Sequence, residues 1–164
     1  MAKTAAVASG VIEMLKEDHE KVKGLFEDFE SAEGREQADI AVTAIMELEV
    51  HADLEEKLIY PAIREHIDED EMMNEAVEEH HLVHVLIREL KKLKPKGEVF
   101  QAKFKVLREL VKHHIEEEGE MLPKAQESEI DWEKLEPAVM KRRETMTSKL
   151  GGQKKGSKRS GLAG

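Results

Sequence analysis

Two stretches of the sequence share one pattern: HADLEEKLIYP at residues 51–61 and HHIEEEGEMLP at residues 113–123. In each copy a His is followed by a Glu four positions later and by a Pro ten positions later. In an α-helix, a His and a Glu four positions apart lie on one face, about 6 Å apart along the axis. Two such helices facing inward would bring imidazole nitrogens and carboxylate oxygens together. The repeat therefore predicts a metal site.

The composition favours helices around this repeat. Of the 164 residues, 40% are hydrophobic, 38% are charged and only 4% are aromatic, and this balance favours helix over sheet. No stretch is apolar enough to cross a membrane. Because the chain has no cysteine, iron–sulfur clusters, thiolate zinc sites and cysteine nucleophiles are excluded. Any metal must therefore be held by His and carboxylate groups.

The charge and the two ends of the chain limit the expected partners. The net charge is −10, and residues 149–164 carry five basic residues and no acid, so the remainder is more acidic still. Such a body argues against nucleic-acid binding by the folded domain. The opening MAKTAAVASG lacks the apolar core of a secretory signal, and we interpret it as the frayed end of a cytoplasmic protein.

Apolar residues recurring every three or four positions predict four long amphipathic helices, which end near residues 32, 66, 94 and 126. Pro61 should bend the second helix rather than end it. Long helices with short connections predict an all-α, up-down-up-down four-helix bundle. We assign residues 1–128 to this bundle, 129–150 to a short C-terminal helix anchored by Trp132, and 151–164 to a disordered basic tail.

Polar residues interrupt the apolar stripes of all four helices. Burying two carboxylates and five imidazoles together would cost many kcal/mol unless a cation compensates their charges and polarity. Nitrogen and oxygen ligands without sulfur suit iron, manganese, zinc or copper. Seven ligands are too many for one tetrahedral zinc and suit two metals that share carboxylates. The predicted inward set is His19, His51, Glu55, His80, His84, His113 and Glu117.

The register of the fourth helix leaves an alternative. His114 and Glu118 have the same four-residue spacing as His113 and Glu117, and their register also passes through apolar residues. We prefer His113 and Glu117, because only they match the distance to Pro in the first copy.

Two further residues lie beside the predicted site. Tyr60 is about 180° around the helix from His51, which favours a packing role over one as a radical or proton source. Glu56 fits a solvated face, with contact to a ligand N–H group as the alternative.

With these motifs the chain resembles the hemerythrin-like (HHE cation-binding) family over about residues 10–126. The resemblance is carried by Asp18-His19, by the two HxxxEE…P copies and by EHxxxH at residues 79–84. It implies a non-haem di-iron site with an oxo or hydroxo bridge, and manganese is an alternative metal. The implied ligands are His80, His84 and His113 on one iron, His19 and His51 on the other, and Glu55 and Glu117 as bridges.

The resemblance also implies a function for the iron with only two histidines, whose open position would bind O2 or a related diatomic molecule. Oxygen carriers of the family end the fourth-helix motif with an Asp five residues after the His, whereas here Glu117 follows His113 by four. This difference favours the broader hemerythrin-like group. Two alternatives therefore stand: a di-iron oxidoreductase acting on peroxide, nitric oxide or Fe(II), and an iron or oxygen sensor acting through a partner.

Overall fold

The computed structural model describes residues 10–162, which are almost entirely helical and contain no strand. The all-α class and the four-helix bundle predicted from the sequence are confirmed. The first nine residues, which include the predicted frayed end, lie outside the described residues. The helices are α1 (Gly10–Ser31), α2 (Gly34–Leu54), α3 (Tyr60–His66), α4 (Asp70–Leu90), α5 (Glu98–Glu127) and α6 (Trp132–Leu162), and a π-helical turn (Glu55–Ile59) joins α2 to α3.

Short connections set the neighbours within the bundle. Gly34 adopts a positive φ of 60°, a conformation that glycine reaches without steric cost, and this allows the tight turn from α1 into α2. Helix α1 packs against α2 and α5, and α4 packs against α5 and α2. The second predicted helix corresponds to α2, the π turn and α3 taken together.

The π turn lies immediately before Pro61. Its closing bond runs from the Tyr60 N–H to the carbonyl of Glu55, five residues back. In a regular α-helix the ring of Pro61 would clash with the carbonyl of Lys57, four residues back, and would leave that carbonyl without its donor. The wider turn relieves this conflict and inserts one extra residue, while the helix continues on both sides.

Two apolar clusters divide the core, and a polar layer lies between them. The upper cluster is built on aromatic and aliphatic side chains that include Val22, Phe26, Leu48, Val83 and Phe104. The lower cluster includes Leu15, Leu54, Met73, Met121 and Trp132. On each bundle helix the buried polar residues fall between members of the two clusters, so water is excluded from both sides of the layer.

Helix α6 packs along α2 and α1. Trp132 is buried at its start, and its ring N–H donates to the carbonyl of Ala125 at 3.3 Å. The helix continues to Leu162, through most of the segment for which a disordered tail is predicted. The division into domains stays a prediction. Within residues 10–162, no helix has the length and apolar character needed to span a bilayer.

Candidate metal centre

The polar layer at the middle of the bundle consists of buried histidines and carboxylates from α1, α2 with its π turn, α4 and α5. Its members are Asp18, His19, His51, Glu55, His80, His114 and Glu118. Glu55 is 0% exposed and Glu118 is 1% exposed. Groups of this kind are buried only when charge and hydrogen-bonding capacity are compensated.

One half of the layer is formed by His80 and His114. Their Nε2 atoms lie 3.0 Å apart, and Glu118 Oε1 lies 2.9 Å from His114 Nε2. Glu55 Oε1 lies 3.2 Å from His80 Nε2. One ligand atom from each of these four residues lies within 4.8 Å of the others, a spacing that suits a single bound ion.

The other half is formed by His19 and His51, whose ring centroids are 5.0 Å apart. His19 Nε2 lies 2.9 Å from Glu118 Oε2, and His51 Nε2 lies 3.1 Å from Glu55 Oε1. His19, His51 and Glu118 form a second group within 4.8 Å. Because Glu118 belongs to both groups and Glu55 contacts a histidine of each half, two ions at these positions would share carboxylates.

Several of these buried atoms have no hydrogen-bond partner. They are His19 Nε2, His51 Nε2, both carboxylate oxygens of Glu55, and Glu118 Oε2. These atoms lie close to one another, but the angles between the groups are not those of a hydrogen bond. An unsatisfied buried charged group costs several kcal/mol, whereas cations bound in the two groups would satisfy these five atoms. The residues present therefore fit bound metal.

A second layer of carboxylates orients three of the four histidines through the other ring nitrogen. Such contacts fix the tautomer and the ring orientation, so that the inward Nε2 is free to bind a metal. The pairs are His51 Nδ1 with Asp18 Oδ2 at 3.0 Å, His80 Nδ1 with Glu56 Oε2 at 3.1 Å, and His114 Nδ1 with Glu79 Oε1 at 2.8 Å.

Of the seven residues predicted from the sequence, the structure brings His19, His51, Glu55 and His80 together. His84 instead lies outside the core, beside the second layer of carboxylates. Its side chain is 36% exposed, and its Nε2 lies 2.8 Å from Glu56 Oε2.

His113 and Glu117 also lie outside the core, and His114 and Glu118 occupy the positions predicted for them. The His113 side chain is 60% exposed, and its Nε2 contacts Glu117 Oε1 at 3.0 Å and Glu79 Oε2 at 3.4 Å. The register predicted for α5 is therefore corrected by one residue.

The π turn explains this correction. It adds one residue between His51 and Pro61, so that the core His and the Pro are ten positions apart. Helix α5 continues through Pro123 without a π turn, and there the core His114 is nine positions from the Pro. The two prolines are structurally equivalent, since Tyr60 and Leu122 before them are both buried. The structural counterpart of His51 is therefore His114, because the second copy lacks the extra residue of the π turn.

Tyr60, for which the sequence favoured a packing role on the far side of the helix, lies at the site. The extra residue of the π turn rotates it from the far side of the helix toward the core, where it is 2% exposed. Its hydroxyl donates to Glu118 Oε1 at 2.5 Å and lies 3.2 Å from His114 Nε2 and 3.3 Å from His80 Nε2. Tyr60 therefore occupies the side of the centre for which His84 was predicted.

The carboxylates control the protonation of the histidines. Burial by itself lowers the pKa of His51, but the charge of Glu55 and the hydrogen bond to Asp18 outweigh it and raise the pKa to about 10. Burial also lowers the pKa of His114, but hydrogen bonds outweigh it and raise the pKa to about 12, and the largest contribution comes from the bond to Glu118. Burial raises the pKa of Glu55, but the His51 charge holds it well below its usual range. Protons and a cation therefore compete for these atoms.

A cavity of about 30 Å³ adjoins the four histidines. Its other wall is apolar and belongs to the upper cluster: Val22, Leu48, Val83, Val111 and Ile115. A space of this size holds a water molecule or a molecule of two heavy atoms, because one water position needs about 10–15 Å³ by the same measure.

Comparison with known proteins identifies the family and the fold of the chain. The family model of the hemerythrin HHE cation binding domain matches residues 10–125. The fold is similar to the crystal structure of a hemerythrin HHE cation binding domain-containing protein from Mycobacterium kansasii, with a TM-score of 0.69 and 23% sequence identity. The similarity covers 87% of this chain and 91% of that one. No curated protein matches the sequence.

Proposed function

Because this chain belongs to the hemerythrin HHE cation-binding family, we propose that it is a non-haem di-iron protein that binds O2 or a related small diatomic molecule. The observation that carries the proposal is the set of buried nitrogen and oxygen atoms that converge without hydrogen-bond partners, next to a small apolar cavity. Iron and manganese share such ligands, so supply in the cell also decides which metal is held.

The proposed ligands follow the two groups described above. His80 and His114 hold one ion, His19 and His51 hold the other, and Glu55 and Glu118 are shared. Tyr60 contacts the His80 and His114 side. The side of His19 and His51 is therefore left for the incoming molecule.

Bound iron supplies electron exchange with O2, nitric oxide or peroxide, and the protein residues control what reaches it. The cavity of about 30 Å³ admits a molecule of two heavy atoms and excludes organic substrates. Its apolar wall favours a neutral diatomic molecule over water, because water there would lack hydrogen-bond partners on that side.

A di-iron oxidoreductase acting on peroxide, nitric oxide or Fe(II) is the second candidate, and Tyr60 is the observation that favours it. Burial and the charges of Glu55 and Glu118 raise the pKa of Tyr60 well above its ordinary value, so the phenol keeps its proton. A hydroxyl that stays protonated 2.5 Å from Glu118 is a hydrogen-bond donor inside the core, and such a donor would stabilise the negative charge that develops when peroxide is reduced.

The deciding experiment is metal content by mass spectrometry on protein purified without added metal, followed by the optical spectrum when anaerobically reduced protein meets O2. About two irons per chain with a reversible oxygen-dependent band support O2 binding. Two irons that oxidise irreversibly, with consumption of peroxide or nitric oxide, support the oxidoreductase. Protein that cannot be loaded with iron or manganese contradicts both.

A further inference from the structure

Helix α6 contacts the buried polar layer through the side chain of Arg143. Its guanidinium donates from Nη1 to Asp18 Oδ2 at 2.9 Å and from Nη2 to Asp18 Oδ1 at 2.8 Å. Asp18 is 6% exposed, and its Oδ2 also contacts His51 Nδ1. A continuous chain of contacts therefore runs from α6 through α1 to His51 on α2.

Arg143 lies outside the segment that the family model matches, since that segment ends at residue 125. The contact between Arg143 and Asp18 is nonetheless a tertiary contact that holds α6 on the bundle. Residues 18 and 143 are 125 positions apart, and the adjacent Arg142 makes a second fork to Asp53 on α2, with Nη2 3.0 Å from Asp53 Oδ1. Two neighbouring arginines thus fix α6 on the bundle, but only Arg143 contacts a carboxylate of the centre.

The other two carboxylates of the second layer have different outer partners. Glu56 contacts His84, and Glu79 contacts His113, both of which are partly exposed histidines. Asp18 is paired with an arginine, which keeps its charge at every physiological pH and holds a carboxylate by two parallel bonds. The orientation of Asp18 is therefore fixed more firmly than that of a carboxylate held by one bond.

We infer that Arg143 is a positioning residue for the proposed metal ligand His51, acting through Asp18, so that α6 completes the His19 and His51 half of the centre. The inference rests on the proposed function. Without Arg143, Asp18 would be a buried carboxylate with one partner and free to rotate. The His51 ring would then lose the fixed acceptor that orients its Nε2.

The test compares Arg143→Gln with Arg142→Gln in the full-length protein. Both variants remove a guanidinium that anchors α6, so loss of the anchor is common to them. Affinity for Fe(II) is measured anaerobically by competition with a chromophoric chelator. We expect about 10- to 100-fold weaker binding of one of the two ions in Arg143→Gln, and no resolvable change in Arg142→Gln. Equal affinities in the two variants would overturn the inference.

A spectroscopic measurement locates the effect. In the Mössbauer spectrum of iron-loaded Arg143→Gln, we expect one of two iron signals to change or lose intensity while the other is retained. A uniform change in both signals would indicate a general structural effect and would count against a role at His51.

Two further variants keep the inference testable if Arg143→Gln folds poorly. Arg143→Lys retains the charge but not the fork, and we expect it to recover part of the lost affinity. If Arg143 acts through Asp18, the double variant Arg143→Gln/Asp18→Asn binds Fe(II) no more weakly than Asp18→Asn alone. Additive losses would overturn the inference. Failure of the wild-type protein to bind two ions would contradict the proposed function instead, which separates the two results.

Discussion

The two copies of the His-Glu-Pro pattern have the same spacing of His, Glu and Pro, yet the helices that carry them differ by one residue of register. In the first copy the π turn at Glu55–Ile59 absorbs an extra residue before Pro61, so that His51, Glu55 and Tyr60 all face the core. In the second copy α5 continues without such a turn, and His114 and Glu118 face the core.

The comparison shows that a matched spacing in sequence need not be a matched geometry. A residue in an α-helix turns by about 100°, so one inserted residue moves every later side chain by more than a quarter of the circumference. The π turn converts a ten-residue spacing to the angular position that α5 reaches in nine. It also brings a tyrosine hydroxyl into a layer of histidines and carboxylates.

The largest expected effect comes from deleting one exposed residue from each copy. Deletion of Lys57 removes the extra residue of the π turn and should leave His51 and Tyr60 in their core positions, at a cost of up to about 3 kcal/mol for Pro61 in a regular helix. Deletion of Glu120 should rotate Met121 and Leu122 out of the core and abolish cooperative unfolding. Thermal denaturation followed by circular dichroism measures both.

Equal damage from the two deletions would contradict this explanation of the register. Retention of two metal ions per chain in the Lys57 deletion would support it directly.

The next effect is on metal binding by adjacent residues of α5. His114→Ala removes an inward imidazole and should weaken binding of one ion by more than about 100-fold, because loss of a ligand exceeds loss of its outer partner. His113→Ala removes an exposed side chain and should change affinity by far less. Metal content after dialysis against a chelator compares the two. The opposite ranking would restore the register predicted from the sequence.

Tyr60→Phe tests the consequence of the π turn for the site itself. The substitution removes one of the two hydrogen-bond donors to the fully buried Glu118 Oε1 and leaves His114 Nε2 as the other, which costs about 1–3 kcal/mol of unfolding free energy in chelator-treated protein. Denaturant unfolding measures this loss. Leu122→Met, at the matching position of the second copy, is the control and should cost less than about 1.5 kcal/mol. Similar costs for the two would mean that the hydroxyl contributes only packing.

The pH dependence provides the most graded comparison. The pKa of His51 rises from 6.5 to about 10 on folding, so its contribution to the stability of chelator-treated protein is complete below pH 6.5 and is lost as pH rises toward 10. Glu55 has a lowered pKa, so its contribution is present above its ordinary value of 4.5 and is lost on acidification. Melting temperatures should therefore be highest between pH 4.5 and pH 6.5.

Metal affinity should change in the opposite direction, because binding displaces protons from the same histidines. Competition with a chelator should show tighter Fe(II) binding as pH rises from 6.5 toward 10. A melting temperature of chelator-treated protein that increases over the same range would contradict the protonated network.

Much of the centre could be predicted from the sequence because its signals are local. His19, His51 and His80 occupy apolar stripes of their helices, and Glu55 follows His51 by one helical turn. In the second copy two adjacent histidines are each followed by a Glu four positions later, so periodicity alone cannot choose between them. The spacing to Pro favoured His113, but that spacing depends on the π turn, which is present in the first copy and not in α5.

The second layer of carboxylates and its outer partners could not be predicted, for a different reason. Asp18 and Arg143 are 125 positions apart, and nothing in either local sequence indicates that they pair. His84 lies one helical turn from His80, so periodicity places both on one face, yet the structure places His84 beside Glu56. His113 likewise lies beside Glu79.

By itself, the sequence determined the helical class, the bundle, the chemical type of the ligands and four of the residues in the buried layer, because hydrophobic periodicity and residue type act over a few turns. Only the tertiary structure decided which of two adjacent histidines in α5 faces the core, that Tyr60 joins them, and that α6 supplies an arginine behind His51. These choices depend on helix rotation and on contacts between distant segments, and both are set by packing of the whole bundle.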